Sequence, residues 1–399
     1  MLKANRFSSP FIILTLLLTF SVVAEEADNE AEAKLEKANQ SVPEDELSWI
    51  DNFLNNLGAD GEFDPDKLID FSFLPGPFYN PEMDLGIGLS AVGLYRVDPE
   101  DKQTQLSSLV INGFASTNGA LGVTIANKTF LHQDQRRFYL DAEIADAPDV
   151  FYGVGYQDNY DDDNRSDFNN RQFSVRPMWL ERLSETSFIG AGFDFSYAQA
   201  SSIELLESDI DTDILAQDSR SVGVNVMINY DTRDTVLNPS KGRVLQLDAA
   251  WYRQALGGKT DFESQSFLYS EYLPVGRSGN VIAWQLHGRF TQGDVPWDKL
   301  SKLGGGGHLR GYTSGRYRDK QMLLTQAEYR LNLPGRNGMV FWAGVGTVAD
   351  KVSEFSSDEI LPNVGIGYRF EVKPNVNLRL DMGFGDGDSG FYFNVNEAF

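Results

Sequence analysis

The chain has 399 residues, with 34 Lys and Arg against 58 Asp and Glu, a formal net charge of −24, and no cysteine. That balance argues against nucleic acid as a partner, because an acidic surface repels phosphate and binding needs a basic stripe. A disulfide framework and lipid attachment through an N-terminal cysteine are excluded as well.

In chain order, the first element reads as a signal peptide over 1–24. Lys3 and Arg6 precede "FIILTLLLTF" (11–20), a run too short to span about 30 Å of hydrocarbon as a helix, and Val22 with Ala24 supply a small-residue cleavage pattern. Its removal would take away Lys3 and Arg6, leaving 32 basic residues against 58 acids, a net of −26 (32 − 58). Export without disulfides points to a bacterial envelope. Residues 25–46 carry nine acids and two lysines with hardly any large apolar side chain, a composition expected of a flexible acidic tail. Over 47–75 a short amphipathic helix, with Leu47, Ile50, Phe53 or Leu54, and Leu57 at helical spacing, is followed by a linker.

The remainder, 76–399, is expected to be an outer-membrane β-barrel. From about residue 83 the dominant period is two. In "SVGVNVMINYD" (221–231) Val222, Val224, Val226, Ile228 and Tyr230 share one side, and Ser221, Asn225, Asn229 and Asp231 the other. "NVGIGYRFEV" (363–372) and "NVNLRLDMGF" (375–384) divide in the same way, putting Arg369, Glu371, Arg379 and Asp381 on the wet side. A soluble sandwich also alternates, but many of these segments reach the roughly 9–11 residues that a tilted strand needs to cross a bilayer. Trp251, Tyr252, Tyr272, Trp284 and Tyr329 lie near strand ends, as interfacial girdles require.

The connections alternate in length. Short turns are expected at 116–120, 146–149, 182–186, 276–280, 334–338 and 373–375. Longer polar stretches are expected on the outer side around 97–105, 158–168, 200–218, 254–262, 292–319 and 350–360. The turn "DTRDTVLNPSKG" (231–242), with Asp231, Arg233, Asp234, Pro239 and Gly242, is longer than the rule. With "VFYGVGY" (150–156) counted as a strand the tally reaches sixteen, an even number that returns both ends to one side. The fold class is therefore all-β: a 16-stranded antiparallel transmembrane β-barrel with an inward-folded loop and a short N-terminal helical segment. At the C-terminus, Phe391, Phe393, Val395 and Phe399 share one side, with Glu397 as an exception tolerable at the rim.

The longest loop contains "GGGGHLRGYTSGRYRD" (304–319), between the eleventh and twelfth strands. Its glycines would let the backbone fold back into the lumen, bringing Arg310 among inward polar side chains. In the next strand Gln326, Glu328, Arg330 and Asn332 share the wet side, so Arg310 with Glu328 is the expected charge-assisted pair. His287 and Arg289 point inward one strand earlier.

These residues carry a resemblance. "FYNPEMDLGIG" (78–88), "DTRD" with "NPSKG" (231–242), "LRGY" (309–312), "GRYRD" and "AEYR" resemble, in this order, the BamA/TamA outer-membrane assembly and translocation superfamily, or bacterial surface antigen family. The resemblance implies that Arg310, Gly311 and Tyr312 lock the loop against Glu328, and that the phenylalanine-rich C-terminus signals to the barrel assembly machinery. A second acid, expected on the following strand, is missing from "VFWAGVGTVAD" (340–350), leaving Asp231, Asp381 or Glu371 as substitutes. Some 50 residues precede the barrel after Ala24, too few for a POTRA domain of about 75, so the resemblance is to a short member without POTRA domains. It implies insertion or passage of proteins or lipids, by weak pairing between first and last strands. Those are expected at 83–96 and 390–399, with Gly86, Gly88 and Gly93 either weakening the seam or relieving crowding where the sheet bends.

A passive pore, with Arg289, Arg369 and Arg379 against Asp248, Glu328 and Asp381, is the alternative. No enzyme is expected. The histidines are His132, His287 and His308, and there is neither a G-x-S-x-G element nor zinc spacing. The acidic loops 158–167 and 385–390 lack a complete calcium-ligand pattern, so no metal and no cofactor are expected. Expected partners are the lipid bilayer with lipopolysaccharide, the assembly machinery, and a client or accessory protein.

Overall fold

The computed structural model describes residues 52, 54–80, 83–205 and 212–399. The expected signal peptide, acidic tail and most of the helix at 47–57 lie outside these; Asn52 and residues 54–56 are helical. The chain divides into two units, Met1–Asn56 and Leu57–Phe399, and the barrel is the second.

The strands are β1 (Asp70–Asn80), β2 (Asp84–Tyr95), β3 (Ser107–Ser116), β4 (Leu121–Leu131), β5 (Arg136–Phe151), β6 (Ser166–Arg182), β7 (Ser187–Leu205), β8 (Ser219–Asp231) and β9 (Gly242–Tyr252). They continue with β10 (Phe262–Val275), β11 (Asn280–Gly293), β12 (Ser301–Leu303), β13 (Tyr317–Asp319), β14 (Gln321–Asn332), β15 (Asn337–Ala349), β16 (Leu361–Lys373), β17 (Val376–Phe384) and β18 (Ser389–Val395). All except β12 and β13, which pair with each other, form one closed antiparallel barrel of sixteen strands in chain order. A short helix, α1 (Tyr156–Tyr160), lies in the β5–β6 connection.

Alternation decides which face is wet. Along β8, Val224, Val226, Ile228 and Tyr230 are exposed on the outer wall, where lipid would cover them, while Ser221, Asn225, Asn229 and Asp231 are buried inside. Inside, aromatic and aliphatic side chains form separate local clusters, some around the loop and others toward the turn end, rather than one continuous core. Leu303, Leu309, Tyr312 and Tyr317 of the loop pack on Met322, Leu324, Val348 and Leu361 of the wall.

Sixteen strands is the expected number, yet two of the expected parts differ. "DAPD" (146–149) is not a turn: β5 runs unbroken through it, Pro148 opposing Asn169 of β6, so "VFYGVGY" is no separate strand. The compensating strand is β1, whose Asp70–Pro75 lie in the expected linker, before the boundary placed at 76. Pro75, Gly76 and Pro77 hid it, since prolines and glycine argue against a strand. The shift inverts the sidedness of the N-terminal third. The 97–105 connection sits at the end carrying the short turns, where Gln105 Oε1 accepts the Val236 N–H (2.9 Å), and 116–120 sits at the loop end.

Candidate functional site

The connection from β11 to β14 folds into the barrel. Arg310 is fully buried; its Nη2 donates to Glu328, its Nη1 donates to Asp381 Oδ2 at 2.5 Å, and its guanidinium lies 3.7 Å from the centre of the Trp342 ring. The expected pair is thus joined by Asp381 of β17, from among the substitutes the sequence offered; Asp231 and Glu371 lie elsewhere. Two acids and an aromatic face answer one guanidinium, which a desolvated charge requires.

Gly311 (φ 115°) permits the contact. A Cβ there would sit 2.6 Å from the Phe384 backbone, and one on Gly383 would sit 2.8 Å from the Arg310 backbone. Loop and wall therefore touch backbone to backbone. Tyr392 accepts the Gly311 N–H, Asn363 donates to the Arg310 carbonyl, and Tyr312 donates its hydroxyl to the Pro362 carbonyl and accepts the Asp386 N–H.

The polar network extends from there. Arg369 bonds Asp381 and Glu397, Arg330 bonds Glu328 and the Phe399 carbonyl, and Arg379 bonds the Gly306 carbonyl. Glu371 is outside it, accepting the Asn375 N–H in the β16–β17 turn. The His287 and His308 rings meet at a tilt of 47°, centroids 4.7 Å apart. Of the groups named for a pore, Arg289 donates to the Lys299 carbonyl and the Ser301 hydroxyl of the loop, and Asp248 pairs with Arg176.

The turn motif is a second centre. Asp231 binds Arg233 and Arg137, and Asp234 receives Ser240, while a Cβ on Gly242 (φ 98°) would meet the Thr232 carbonyl at 2.3 Å. Pro239 lines the cavity beside it. Arg137, buried between Asp134 and Asp231 with its guanidinium 3.9 Å from the Phe188 ring centre, escaped sequence reasoning because Asp231 lies 94 residues along the chain. Lys299 with Asp194 (3.2 Å) and Lys373 with Asp60 and Asp70 escaped it too, since each pair joins segments far apart in the chain.

At the C-terminus the expected single face breaks. Phe391 is exposed on the outer wall, and Phe393 and Val395 follow the same register, opposing Leu380 and Leu378. Asn396 adopts φ 69°, and the chain leaves the sheet. Phe399 consequently packs inside on Tyr272, Val281 and Ala283, and Glu397, off the apolar face, is buried against Arg369 and Asn377.

The seam between first and last strands involves β1, not 83–96. β2 is an interior strand paired on both edges, and its glycines relieve crowding: the Phe78 ring occupies the space over Gly86, and Ile69 and Phe71 that over Gly93. Among the described residues, β1 and β18 register at Tyr79↔Phe391, whereas β1 and β2 pair continuously from Asp70↔Leu94 to Asn80↔Asp84. The cause lies in β1. Phe73 turns its N–H away from β2, to the Leu57 carbonyl, so the alternate residues Pro75 and Pro77 face the same edge, and they have no N–H to give.

The sequence from 111 to 399 matches the family model for the Omp85 superfamily domain. The chain belongs to the Omp85 superfamily. Its barrel superposes on the crystal structure of BamA from Haemophilus ducreyi lacking POTRA domains 1–3, with a TM-score of 0.51 at 12% identity, covering 88% of this chain and 77% of that one. It also superposes on CdiB from Acinetobacter baumannii, with a TM-score of 0.50 at 13% identity, covering 83% of this chain and 60% of CdiB. At these identities the likeness concerns the fold. A search of curated proteins returns no match. An Omp85 barrel implies the outer membrane, and the apolar outer wall is consistent with that setting.

Proposed function

We propose that this Omp85 barrel assists insertion or passage of proteins or lipids at the outer membrane by transient opening of the β1–β18 seam, with no covalent chemistry. One observation carries the reading: the donors that would pair β1 to β18 are removed by Pro75 and Pro77. Unpaired strand edges template added strands, and a client strand could use that edge.

The state of the lumen favours this over a passive pore. At the loop end, Arg316 donates to the carbonyls of Asn159 and Tyr160 and to Asp162, Gly155 N–H bonds the Arg318 carbonyl, and Trp297 bonds the Gln217 carbonyl. Three connections are thereby tied over that mouth. A cavity of about 450 Å³ lies toward the turn end, lined by Tyr139, Arg176, Arg233, Tyr272 and Glu397. Delivery of the barrel by the assembly machinery, with Phe391, Phe393, Val395 and the terminal Phe399 as the signal, belongs to the same proposal, as does contact with lipopolysaccharide.

The test is reconstitution. Phosphatidylcholine vesicles containing the barrel should fold a urea-unfolded client barrel about tenfold faster than vesicles containing an equal amount of a porin. Equal rates would remove the insertion reading.

A further inference from the structure

The turn-end half of the seam is closed by something other than strand pairing. β18 ends at Val395 and the chain turns inward at Asn396, so the first residues of β1 have no strand beside them on that edge among the described residues. Residues 57–64 lie along the edge instead. The Phe73 N–H donates to the Leu57 carbonyl (2.8 Å), the Ser72 hydroxyl donates to the Gly58 carbonyl (2.7 Å), and the Asp64 N–H donates to Asp70 (3.1 Å). The same segment reaches β16 and its neighbouring turn on the far side of the seam. There the Gly61 N–H donates to the Val372 carbonyl (3.1 Å) and Arg336 Nη1 to the Ala59 carbonyl (2.7 Å).

Charge reinforces the bridge. Lys373, the last residue of β16, is fully buried and places its ammonium 2.7 Å from both Asp60 Oδ1 and Asp70 Oδ2, the latter carboxylate also fully buried. In barrel order β16 and β1 are separated by β17 and β18, so this contact spans the place that β18 vacates. A buried ammonium held by two carboxylates resists separation, because parting them strands charge in a poorly hydrated site.

We propose that residues 57–64 together with Lys373 form a clasp that joins β1 to β16 across the seam and sets how readily the seam opens. The clasp covers an edge that would otherwise recruit strands, and releasing it frees that edge. Anything that pulls on the chain before residue 57 would act on the clasp first. Its effect on client handling rests on the function proposed above; its effect on the seam does not.

Hydrogen exchange read by mass spectrometry on the purified full chain in lipid nanodiscs tests the proposal, with the heat-dependent gel shift of folded barrels as the folding check. Two variants loosen the clasp by different means. Gly58→Ala places a Cβ 2.4 Å from the Phe71 carbonyl at a φ of 76°, and Lys373→Met/Asp70→Asn removes the ion pair without leaving a buried carboxylate stranded. Both are expected to exchange the amides of 391–394 at least about tenfold faster than the parent, while Gln105→Ala, elsewhere at the turn end, leaves them unchanged. Parent-like exchange at 391–394 in folded variants whose Gly61 amide has become labile would overturn the clasp. Faster seam exchange with unchanged client folding in vesicles would keep the clasp and reject the insertion reading.

Discussion

Asp381 reaches Arg310 from β17, three strands along the wall from the β14 residue Glu328, its Oδ2 2.5 Å from Nη1 while Glu328 takes Nη2. A guanidinium shared between two strands, β14 and β17, ties the loop to both and not to one. Neutralising either acid leaves the other in place, so Glu328→Gln and Asp381→Asn should each destabilise less than Arg310→Ala. Losing the arginine leaves Glu328 to Arg330 and Asp381 to Arg369, so the loss is expected near the low end of the about 3–5 kcal/mol that breaking a buried pair costs. The charge-reversed double, Arg310→Glu with Glu328→Arg, should recover little, because it sets the new loop carboxylate against Asp381 and the new β14 guanidinium against Arg330. Heat-dependent gel shifts of the folded barrels measure all four.

The loop also depends on a missing side chain. Gly311→Ala changes no charge, yet its Cβ would collide with the Phe384 backbone at a φ that L residues rarely adopt. It should undock the loop while the barrel stays closed. Limited proteolysis reads this directly: cleavage within 304–316 is expected in the variant and protection in the parent, and equal protection would mean that the loop is held without this contact.

Arg316 acts elsewhere on the loop. It is buried against Tyr152, its guanidinium 4.6 Å from the ring centre, and holds α1 over the loop-end mouth. The contacts assign it a distinct effect: Arg316→Ala should raise single-channel conductance several-fold over a nearly silent parent in planar bilayers, whereas Arg137→Ala, at the turn end, should not.

Asp319, in the loop strand β13, is buried, and burial pushes its carboxyl up to about 6, with nearby Asp350 adding to the rise. The sign follows from linkage. Between the ordinary value of 3.8 and about 6 the folded protein holds the proton more tightly than the unfolded chain, so folding stability falls as pH rises through this window. Asn does not titrate. Asp319→Asn should therefore unfold at a higher temperature than the parent above pH 6, and at the same temperature below about pH 4. A difference that grows toward acid would contradict the assignment.

What the sequence disclosed follows a physical line. Strand alternation shows through wherever one face meets lipid and the other water, which is why β8, β16 and β17 were legible. The loop contact was legible because Arg310, in the loop, and Glu328, on the strand that follows it, lie 18 residues apart in the chain. Asp381 could only be one candidate among several, since its meeting with Arg310 depends on closure of the wall. β1 was hidden by Pro75 and Pro77, the residues that make it a poor strand and an unpaired edge. The inward turn at Asn396 was hidden because alternation assumes that a strand continues, and nothing in "NVNEAF" marks the left-handed residue that ends it. Lys373, Asp70 and Asp60 read as ordinary surface charges until the fold brings them together.

The proline edge carries its own prediction. Pro77→Val restores an N–H facing β18 and should lengthen the pairing beyond Tyr79↔Phe391, slowing hydrogen exchange along 389–394. A variant that exchanges like the parent would show that proline is not what keeps the strands apart.

The most direct measurement uses the absence of native cysteine. Cysteines at the registered pair Tyr79 and Phe391 should form a disulfide that fastens the seam. In one vesicle preparation, client folding should be slow under oxidant and return to the parent rate on adding reductant. Equal client folding in the fastened and released states would contradict a function that works through the seam.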